Sequence, residues 1–425
     1  MPNEMAFEMA TSSIRFGRGV TAEVGMDLAD LKVRNVMVFT DSTVRVLGPT
    51  TNVLESLERH NVPFKLFDAV RVEPTHESFQ EAIRFATQGE FDAFVAVGGG
   101  STIDTAKAAN LYATFPTDFL DYVNPPIGKG LPVPGPLKPL IAIPTTAGTG
   151  SETTGVAIFD HATLHAKTGI AHRRLKPTLG LVDPDNTRSQ PPAVAASAGL
   201  DVLSHAVESY TAIPFSQRTQ PERPILRPAY QGSNPISDVW SLEALRLVAR
   251  YLFRAVEDPS DDEARSSMLL AASYAGVGFG NAGVHLPHGM SYPVSGMVRS
   301  FYPSGYDVDH PMIPHGVSVV LNAPAVFRFT AAACPERHLN AAAILGADVS
   351  RARLEDAGRI LADRIIHYMR KLGIPNGLGA VGYSRDDIPA LVRGTMPQHR
   401  VTKLSPRPAR EEDLAGLFED AMVYW

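Results

Sequence analysis

The chain has 425 residues, of which 44% are hydrophobic and 20% are charged, and its formal net charge is −6. This length suits two domains with large cores, and the weak acidity gives no general attraction to nucleic acid or to an anionic membrane. A single cysteine, Cys334, excludes a disulfide framework and a cysteine-based zinc site, so a tightly bound metal would need histidine and carboxylate ligands. No apolar run reaches the ~18 residues that span a bilayer, and the N-terminal residues show neither a signal nor a transit pattern. We therefore expect a soluble, cytoplasmic protein without nucleic acid or membrane partners.

The first part of the chain alternates short apolar runs with segments of helical character, after a weakly patterned stretch at 1–30. Strands are predicted at 35–40, 63–70, 91–97, 140–144 and 179–183, helices at 51–60, 76–89 and 102–113, and an extended segment at 153–160. Strands that alternate with helices are typical of parallel βαβ units. We therefore predict an α/β domain over residues 1–195.

The second part of the chain becomes rich in alanine and helical spacing after Pro191 and Pro192. Helices are predicted at 193–211, 241–256 and 351–372, the last followed by Gly373 as a C-cap. The segment 214–238 contains five prolines, which exclude a continuous helix and predict a long loop. An all-helical domain over residues 196–425 is expected.

Gly98-Gly-Gly-Ser101 lies between a buried strand and a helix. Glycine lets the backbone approach a ligand closely, and the helix N-terminus offers N–H groups to phosphate, although a tight turn needs glycine as well. The pattern is not GxGxxG, which excludes an ordinary Rossmann fingerprint. A second loop of small and hydroxyl residues, Thr145–Ser151, follows another strand, and two such loops suit a dinucleotide. Asp41 ends an earlier strand, where its carboxylate would favour NAD over NADP or simply cap a turn.

Asp201 and His205 are four residues apart in a run that favours helix. On a helix these positions share one face, with β-carbons roughly 5–6 Å apart, so an oxygen and a nitrogen could hold one divalent ion. His288 and His315 each lie in a Pro-His-Gly setting. Each histidine alone could equally be a packed or surface residue, but together the four offer one carboxylate and three imidazoles. Such a set suits Fe(II) or Zn(II) and leaves a position open for a substrate oxygen.

Three of these features together resemble the iron-containing (group III) alcohol dehydrogenases: Gly98-Gly-Gly-Ser-Thr-Ile-Asp-Thr-Ala-Lys107, Pro144-Thr-Thr-Ala-Gly-Thr-Gly-Ser-Glu152, and the set of one aspartate and three histidines. The resemblance covers nearly the whole chain. It implies the fold shared with dehydroquinate synthase, with an N-terminal α/β nucleotide-binding domain and an all-α C-terminal domain. It also implies NAD, a divalent metal (Fe(II) first, Zn(II) as the alternative) and a homodimer.

The resemblance further implies roles for individual residues. The metal ligands would be Asp201, His205, His288 and His315. The pyrophosphate of the cofactor would contact Gly99, Gly100 and Ser101, and the rest of the cofactor would be lined by Asp104, Thr145, Thr146, Thr149 and Thr154. Lys167 would reach the cofactor ribose, and Asp41 would select NAD. One departure concerns Tyr292, which stands where alcohol-oxidising relatives have a histidine thought to relay protons. Tyr292 or His285 could replace that histidine, or the relay could run through the NAD ribose and water.

Other motifs look like the transhydrogenase branch of this family: Val72-Glu-Pro-Thr75, Gly278-Phe-Gly-Asn-Ala-Gly-Val-His285 and Val401-Thr-Lys-Leu404. That resemblance implies oxidation of 4-hydroxybutyrate to succinate semialdehyde, coupled to reduction of 2-oxoglutarate to D-2-hydroxyglutarate. The alternatives are a soluble NAD-linked 4-hydroxybutyrate or primary alcohol dehydrogenase, and a lyase like dehydroquinate synthase. Since both substrates are carboxylates, a cation is expected near the metal, with Arg218, Arg223 and Arg227 of the proline-rich loop as candidates.

Overall fold

A computed structural model describes residues 2–161, 166–306 and 308–425. The chain divides into two compact units: one is Ala10–Gln190, and the other is Pro191–Trp425 together with the segment that ends at Met9. The boundary predicted at residue 195 falls within the first helix of the second unit, Pro192–Thr211.

The first unit is built on strands. In its described residues these are β1 (Ser13–Phe16), β2 (Val36–Phe39), β3 (Phe64–Phe67), β4 (Ala93–Gly98), β5 (Leu140–Pro144), β6 (Val156–His161), β7 (Ala166–Ala171) and β8 (Leu179–Val182). Six of them form a parallel sheet in the order β1-β8-β5-β4-β2-β3, and β6 pairs with β7 as an antiparallel hairpin. The helices are α1 (Val24–Asp30), α2 (Gly48–Arg59), α3 (His76–Gln88), α4 (Gly100–Thr114) and α5 (Phe119–Tyr122).

The sheet has a core on each face. All residues of β2 are buried; Val36 and Val38 belong to one apolar cluster, and Met37 and Phe39 to another. Successive side chains of a strand point to opposite faces, and a parallel sheet covered on both faces reads as a continuous apolar run. This is why β2, β4, β5 and β8 were predictable from the sequence.

Two strands were not predicted. β1 is a four-residue edge strand with two partly exposed side chains, Ile14 at 38% and Phe16 at 40%, so it lacks the apolar run of the central strands. β7 contains Lys167 and Thr168 within an antiparallel hairpin, and polar residues there conceal its strand character.

The second unit is helical. Its helices are α6 (Pro192–Thr211), α7 (Pro235–Glu257), α8 (Asp262–Ala282), α9 (Leu286–Gly296), α10 (His315–Val320), α11 (Ala323–Thr330), α12 (Pro335–Ile344), α13 (Ala357–Lys371), α14 (Ile388–Thr395), α15 (His399–Thr402) and α16 (Glu411–Asp420). α13 is shorter than the helix predicted at 351–372. Gly373 lies just beyond its end with a left-handed φ of 67°. α8 is the longest of the helices that were not predicted; it is buried on nearly every face and shows no periodic apolar stripe.

The predicted proline-rich loop is largely present. Between α6 and α7 the chain makes only single turns, Phe215–Gln217 and Pro224–Leu226. It ends at Asn234, four residues earlier than predicted, because Pro235 occupies the first turn of α7, where its missing N–H costs nothing. Across the described residues of both units, every helix is too short or too polar to cross a bilayer.

Candidate active site

α6 holds the first pair of predicted metal ligands. Pro192 occupies its first turn, and a run of alanine and leucine continues the helix to Thr211. Asp201 and His205 are one helical turn apart and are both buried, with 2% and 4% of their surfaces exposed. The Nε2 atom of His205 lies 3.7 Å from Oδ1 of Asp201. The helix therefore directs this pair into the protein.

The other two histidines approach the same carboxylate oxygen. His288 lies on α9 and His315 opens α10, and their Nε2 atoms are 3.5 Å and 3.8 Å from Oδ1 of Asp201. α10 reaches α6 at Gly316, where a β-carbon would lie only 2.0 Å from the carbonyl oxygen of Ser197. Glycine at position 316 is therefore what allows His315 to come so close.

The arrangement fits a divalent cation. Oδ1 of Asp201 and Nε2 of His288 are shielded from solvent and have no hydrogen-bond partner among the described residues. Leaving such atoms unsatisfied costs about 1–3 kcal/mol each unless a ligand binds them. Burial lowers the pKa of His205 to about 3, which keeps the ring neutral and leaves one nitrogen lone pair for a metal. One carboxylate oxygen and imidazole nitrogens are donors that Fe(II) and Zn(II) both accept.

Glu208 supports this site from behind and was missed in the sequence. Its Oε2 atom lies 2.5 Å from Nδ1 of His288, and its Oε1 atom accepts hydrogen bonds from the backbone N–H groups of His285 and His288 at 2.8 Å and 3.2 Å. A carboxylate that accepts from Nδ1–H fixes the tautomer that presents Nε2 to a metal. Burial alone would lower the pKa of His288, but Glu208 and Asp201 raise it to about 10. The two carboxylates thus favour positive charge between them. The sequence offered one signal for Glu208: it lies seven residues after Asp201, on the same inward face of α6.

The two candidates for proton relay have different surroundings. Tyr292 lies one turn after His288 on α9, and its hydroxyl accepts a hydrogen bond of 2.7 Å from Nη2 of Arg400. His285 is fully buried, and its Nε2 atom is 3.0 Å from the hydroxyl oxygen of Thr211. Burial lowers the pKa of His285 to about 4. The Tyr292 hydroxyl therefore accepts one hydrogen bond and can donate another, and His285 is neutral.

The arginines predicted to bind the substrate carboxylate are engaged elsewhere or exposed. Arg227 makes two hydrogen bonds of 3.0 Å to the carboxylate of Glu4. Arg218 donates to the carbonyl oxygen of Tyr230 at 3.1 Å. Arg223 is exposed on the surface of the loop. Arg227 is therefore neutralised by Glu4, and Arg223 lies in solvent.

The predicted nucleotide site lies in the α/β unit, at the carboxyl ends of β2 and β4. The sheet order changes direction between these strands, and open α/β sheets bind ligands at such a point. β4 ends at Gly98 and α4 begins at Gly100, with no side chain capping the helix N-terminus. A β-carbon on Gly100 would lie 2.6 Å from Cγ2 of Thr149. The two predicted loops are therefore in direct contact, next to helix N–H groups suited to a phosphate.

Several predicted cofactor residues already have protein partners. Ser151 donates to Oδ1 of Asp104 at 2.6 Å, and the buried amine of Lys107 donates to the hydroxyls of Ser151 and Thr154 at 2.6 Å and 3.2 Å. Oδ2 of Asp104 accepts from the backbone N–H of Ile158 at 3.0 Å. These contacts connect α4 to the second loop and to β6.

Asp41 and Lys167 also make local contacts. Oδ1 of Asp41 accepts from the backbone N–H groups of Thr43 and Val44 at 2.9 Å and 2.8 Å, which is the turn-capping role considered for it. The amine of Lys167 pairs with the carboxylate of Glu73. Thr145, which follows β5, donates its backbone N–H to the carbonyl oxygen of Gly98 at 3.0 Å. Thr146 is half-buried beside Gly99.

Comparison with protein families agrees with this arrangement. The family described as iron-containing alcohol dehydrogenase matches residues 11–184, and the C-terminal part of the Fe-containing alcohol dehydrogenase family matches residues 229–422. Together the matches cover most of both units.

Similar curated proteins cover almost the whole chain. Hydroxyacid-oxoacid transhydrogenase, mitochondrial, of Xenopus tropicalis is 63% identical over 99% of this chain and 91% of its own length. The protein of the same name from Homo sapiens is 61% identical over 99% of this chain and 90% of its own length. These relatives are mitochondrial by name, so the prediction of a cytoplasmic protein is wrong.

Solved structures confirm the predicted fold class. The crystal structure of a 1,3-propanediol oxidoreductase is 26% identical, with a TM-score of 0.85 over 98% of this chain and 100% of that one. Sulfoacetaldehyde reductase from Bifidobacterium kashiwanohense, in complex with NAD+, is 26% identical, with a TM-score of 0.78 over 99% of each chain.

Proposed function

Because the chain belongs to the iron-containing alcohol dehydrogenase family, we propose that it is a metal- and NAD-dependent hydroxyacid-oxoacid transhydrogenase. It oxidises 4-hydroxybutyrate to succinate semialdehyde and reduces 2-oxoglutarate to D-2-hydroxyglutarate. The observation that carries this proposal is the approach of three histidine nitrogens to one buried carboxylate oxygen without a hydrogen-bond partner. The identity of 61–63% to transhydrogenases supports the choice of reaction within the family.

Asp201, His205, His288 and His315 would hold the metal. When bound, a divalent cation at this position supplies Lewis-acid chemistry that lowers the pKa of a substrate hydroxyl. Glu208 holds His288 in the orientation that such a ligand needs. We propose Fe(II) as the native ion, with Zn(II) as the alternative, because the donor set accepts both. Elemental analysis of the purified protein decides between them.

The turn at Gly99, Gly100 and Ser101 would bind the pyrophosphate of NAD, which supplies the acceptor and donor of hydride when bound. Thr145, Thr146, Thr149 and Thr154, with Asp104, would form the wall of the site. Asp41 would favour NAD through Oδ2, since only Oδ1 caps the turn, and Lys167 would lie near the ribose. The chain retains this nucleotide between the two half-reactions.

Tyr292 and His285 are the proposed groups for moving the substrate proton. The Tyr292 hydroxyl accepts from Arg400 and can still donate, whereas the neutral His285 can accept a proton only at a cost that burial imposes. A Tyr292→Phe variant would shift the pH profile of turnover if Tyr292 carries the proton.

Isotope transfer tests the reaction. The purified protein, dialysed and given no NAD, is incubated with 2-oxoglutarate and 4-hydroxybutyrate deuterated at C4. We expect deuterium at C2 of the 2-hydroxyglutarate product, measured by mass spectrometry, because hydride from C4 passes through the retained nucleotide. Asp201→Asn is the matched control, which should lose this transfer.

Other outcomes identify the alternatives. If turnover requires added NAD and accumulates NADH, the protein is an NAD-linked dehydrogenase that releases its cofactor. If neither deuterium transfer nor absorbance near 340 nm is found with any alcohol, a lyase reaction of the dehydroquinate synthase type replaces the proposal.

A homodimer is proposed as the oligomeric state, as the family resemblance implies. Size-exclusion chromatography with light scattering would give a mass of twice the 45.8 kDa chain.

A further inference from the structure

Arg400 is a half-buried cation that has no acidic partner among the described residues. Its Nη2 atom donates to the hydroxyl of Tyr292 at 2.7 Å, and its guanidinium lies 5.0 Å from the centre of the Tyr230 ring. Its Nη1 atom is shielded from solvent and has no hydrogen-bond partner among the described residues. In the same described part of the chain, no carboxylate forms an ion pair with Arg400. The Nη1 group of Arg400 therefore has donor capacity that no described acceptor uses.

This arrangement is costly without a ligand. Arginine stays charged at any relevant pH, and charged side chains are rarely buried unless they are paired. A contact with an aromatic ring offsets only about 0.5–2 kcal/mol of the loss of hydration. Arg337 offers a comparison, because it lies 4.5 Å from the Tyr210 ring and also binds Asp238 at 2.8 Å. Arg400 has the ring but lacks the acid.

The place of Arg400 in the fold connects it to the metal ligands. α15 packs against α9 at Gly289, next to His288, where a β-carbon would lie 2.8 Å from Cγ2 of Thr402. Tyr292, which binds Arg400, is one turn after His288 on α9. On its other side, Tyr230 is 6.4 Å from the ring of Phe279, and that ring stacks at 3.9 Å on His205.

Resting on the proposed function, we propose that Arg400 binds the distal carboxylate of both substrates. In 4-hydroxybutyrate the reacting carbon is joined to a carboxylate through two methylene groups, and in 2-oxoglutarate the keto carbon carries the same arm. One cation at a fixed distance from the reacting carbon therefore serves both half-reactions. A guanidinium with free donors is suited to a planar carboxylate. Besides its proposed part in proton transfer, Tyr292 holds Arg400 through the hydrogen bond that its hydroxyl accepts.

Binding of an unreactive carboxylate tests this directly. Glutarate carries the same arm but has no group to oxidise or reduce, so its affinity does not depend on turnover. We expect Arg400→Met to weaken glutarate binding by roughly 10- to 100-fold, as measured by calorimetry on protein loaded with metal and NAD. The glutarate affinity of Arg400→Lys should lie between those of wild type and Arg400→Met, because lysine keeps the positive charge but lacks the paired N–H donors of a guanidinium. Arg223→Met, an exposed arginine of the loop, is the matched control and should bind glutarate normally.

Stability and kinetics distinguish carboxylate binding from a structural role for Arg400. If Arg400 binds the carboxylate, removing its unpaired charge should leave the thermal midpoint of the ligand-free protein unchanged or higher. KM should then rise for 4-hydroxybutyrate and 2-oxoglutarate but not for 1-butanol. If the midpoint falls and the affinities for glutarate and 1-butanol fall together, the proposal is overturned.

The outcomes separate the two proposals. If glutarate binding depends on Arg400 but no deuterium is transferred, the proposed transhydrogenase reaction is overturned and the carboxylate site stands. Deuterium transfer with unchanged glutarate affinity in Arg400→Met would overturn the assignment of Arg400 and keep the reaction.

Discussion

Glu208 is fully buried behind His288, and its hydrogen bonds go to the segment that begins at His285. Replacing it by Gln keeps the size but removes the negative charge that orients the Nδ1–H group. We expect Glu208→Gln to weaken metal binding by about 10- to 100-fold, because partners behind a metal ligand contribute on that scale. Competition with a chelator of known affinity measures the loss.

A matched substitution on the surface controls for the change of charge. Glu243→Gln alters an exposed glutamate of α7 that pairs only with Arg246 among the described residues. It should leave metal affinity unchanged. Equal metal affinity in Glu208→Gln and wild type would show that His288 is oriented without Glu208.

The sequence identified the metal ligands but not the residues that support them. Asp201 and His205 were visible because a four-residue spacing needs only a helix to bring two groups together. Arg400 was not, because Tyr292 is separated from it by 108 positions, and only the packing of α15 on α9 brings them together. The proline-rich loop suggested Arg227 instead, and the segment before β1 neutralises that residue through Glu4.

The turn between β4 and α4 is the element on which nucleotide binding depends. A β-carbon on Gly100 would meet Cγ2 of Thr149 at 2.6 Å, so Gly100→Ala must displace the Thr149 side chain. Such overpacking costs about 1–3 kcal/mol, and we expect the Kd for NAD to rise by at least roughly tenfold. Fluorescence titration with NADH measures this change.

A second substitution tests the cause. Thr149→Ala removes the atoms that clash, so the Gly100→Ala/Thr149→Ala double variant should recover part of the affinity relative to Gly100→Ala. Thr149→Ala alone supplies the reference for any direct role of the threonine. No recovery in the double variant would place the effect in the helix N-terminus rather than in the contact between loops.

At the scale of elements, the central strands that were predicted have a clear apolar pattern. The central strands β2 and β4 are continuous apolar runs and lay within a few residues of their predicted bounds. The edge strand β1 and the buried helix α8 were missed because one is half exposed and the other is apolar on nearly all sides. Only tertiary contacts give these segments their structure.

The molecule consists of two compact units, and the proposed ligands are assigned to different ones. A ligand that binds only the folded state stabilises it by about 2.7 kcal/mol at a hundred times its Kd. We therefore expect a divalent metal to raise the thermal midpoint of the helical unit by roughly 5–10 °C, since a unit of this size gains about 2–4 °C per kcal/mol. NAD should raise the midpoint of the α/β unit. Scanning calorimetry of protein treated with a chelator, with and without each ligand, measures both shifts.

Asp201→Asn identifies the metal site as the origin of the first shift. The variant loses the negative charge of the carboxylate that three imidazole nitrogens surround. The sequence of the α/β unit, Ala10–Gln190, is unchanged. It should therefore keep the stabilisation by NAD and lose the stabilisation by metal. If added metal stabilised Asp201→Asn as strongly as wild type, the ion would bind elsewhere, and the buried carboxylate would have to be explained by its imidazole neighbours alone.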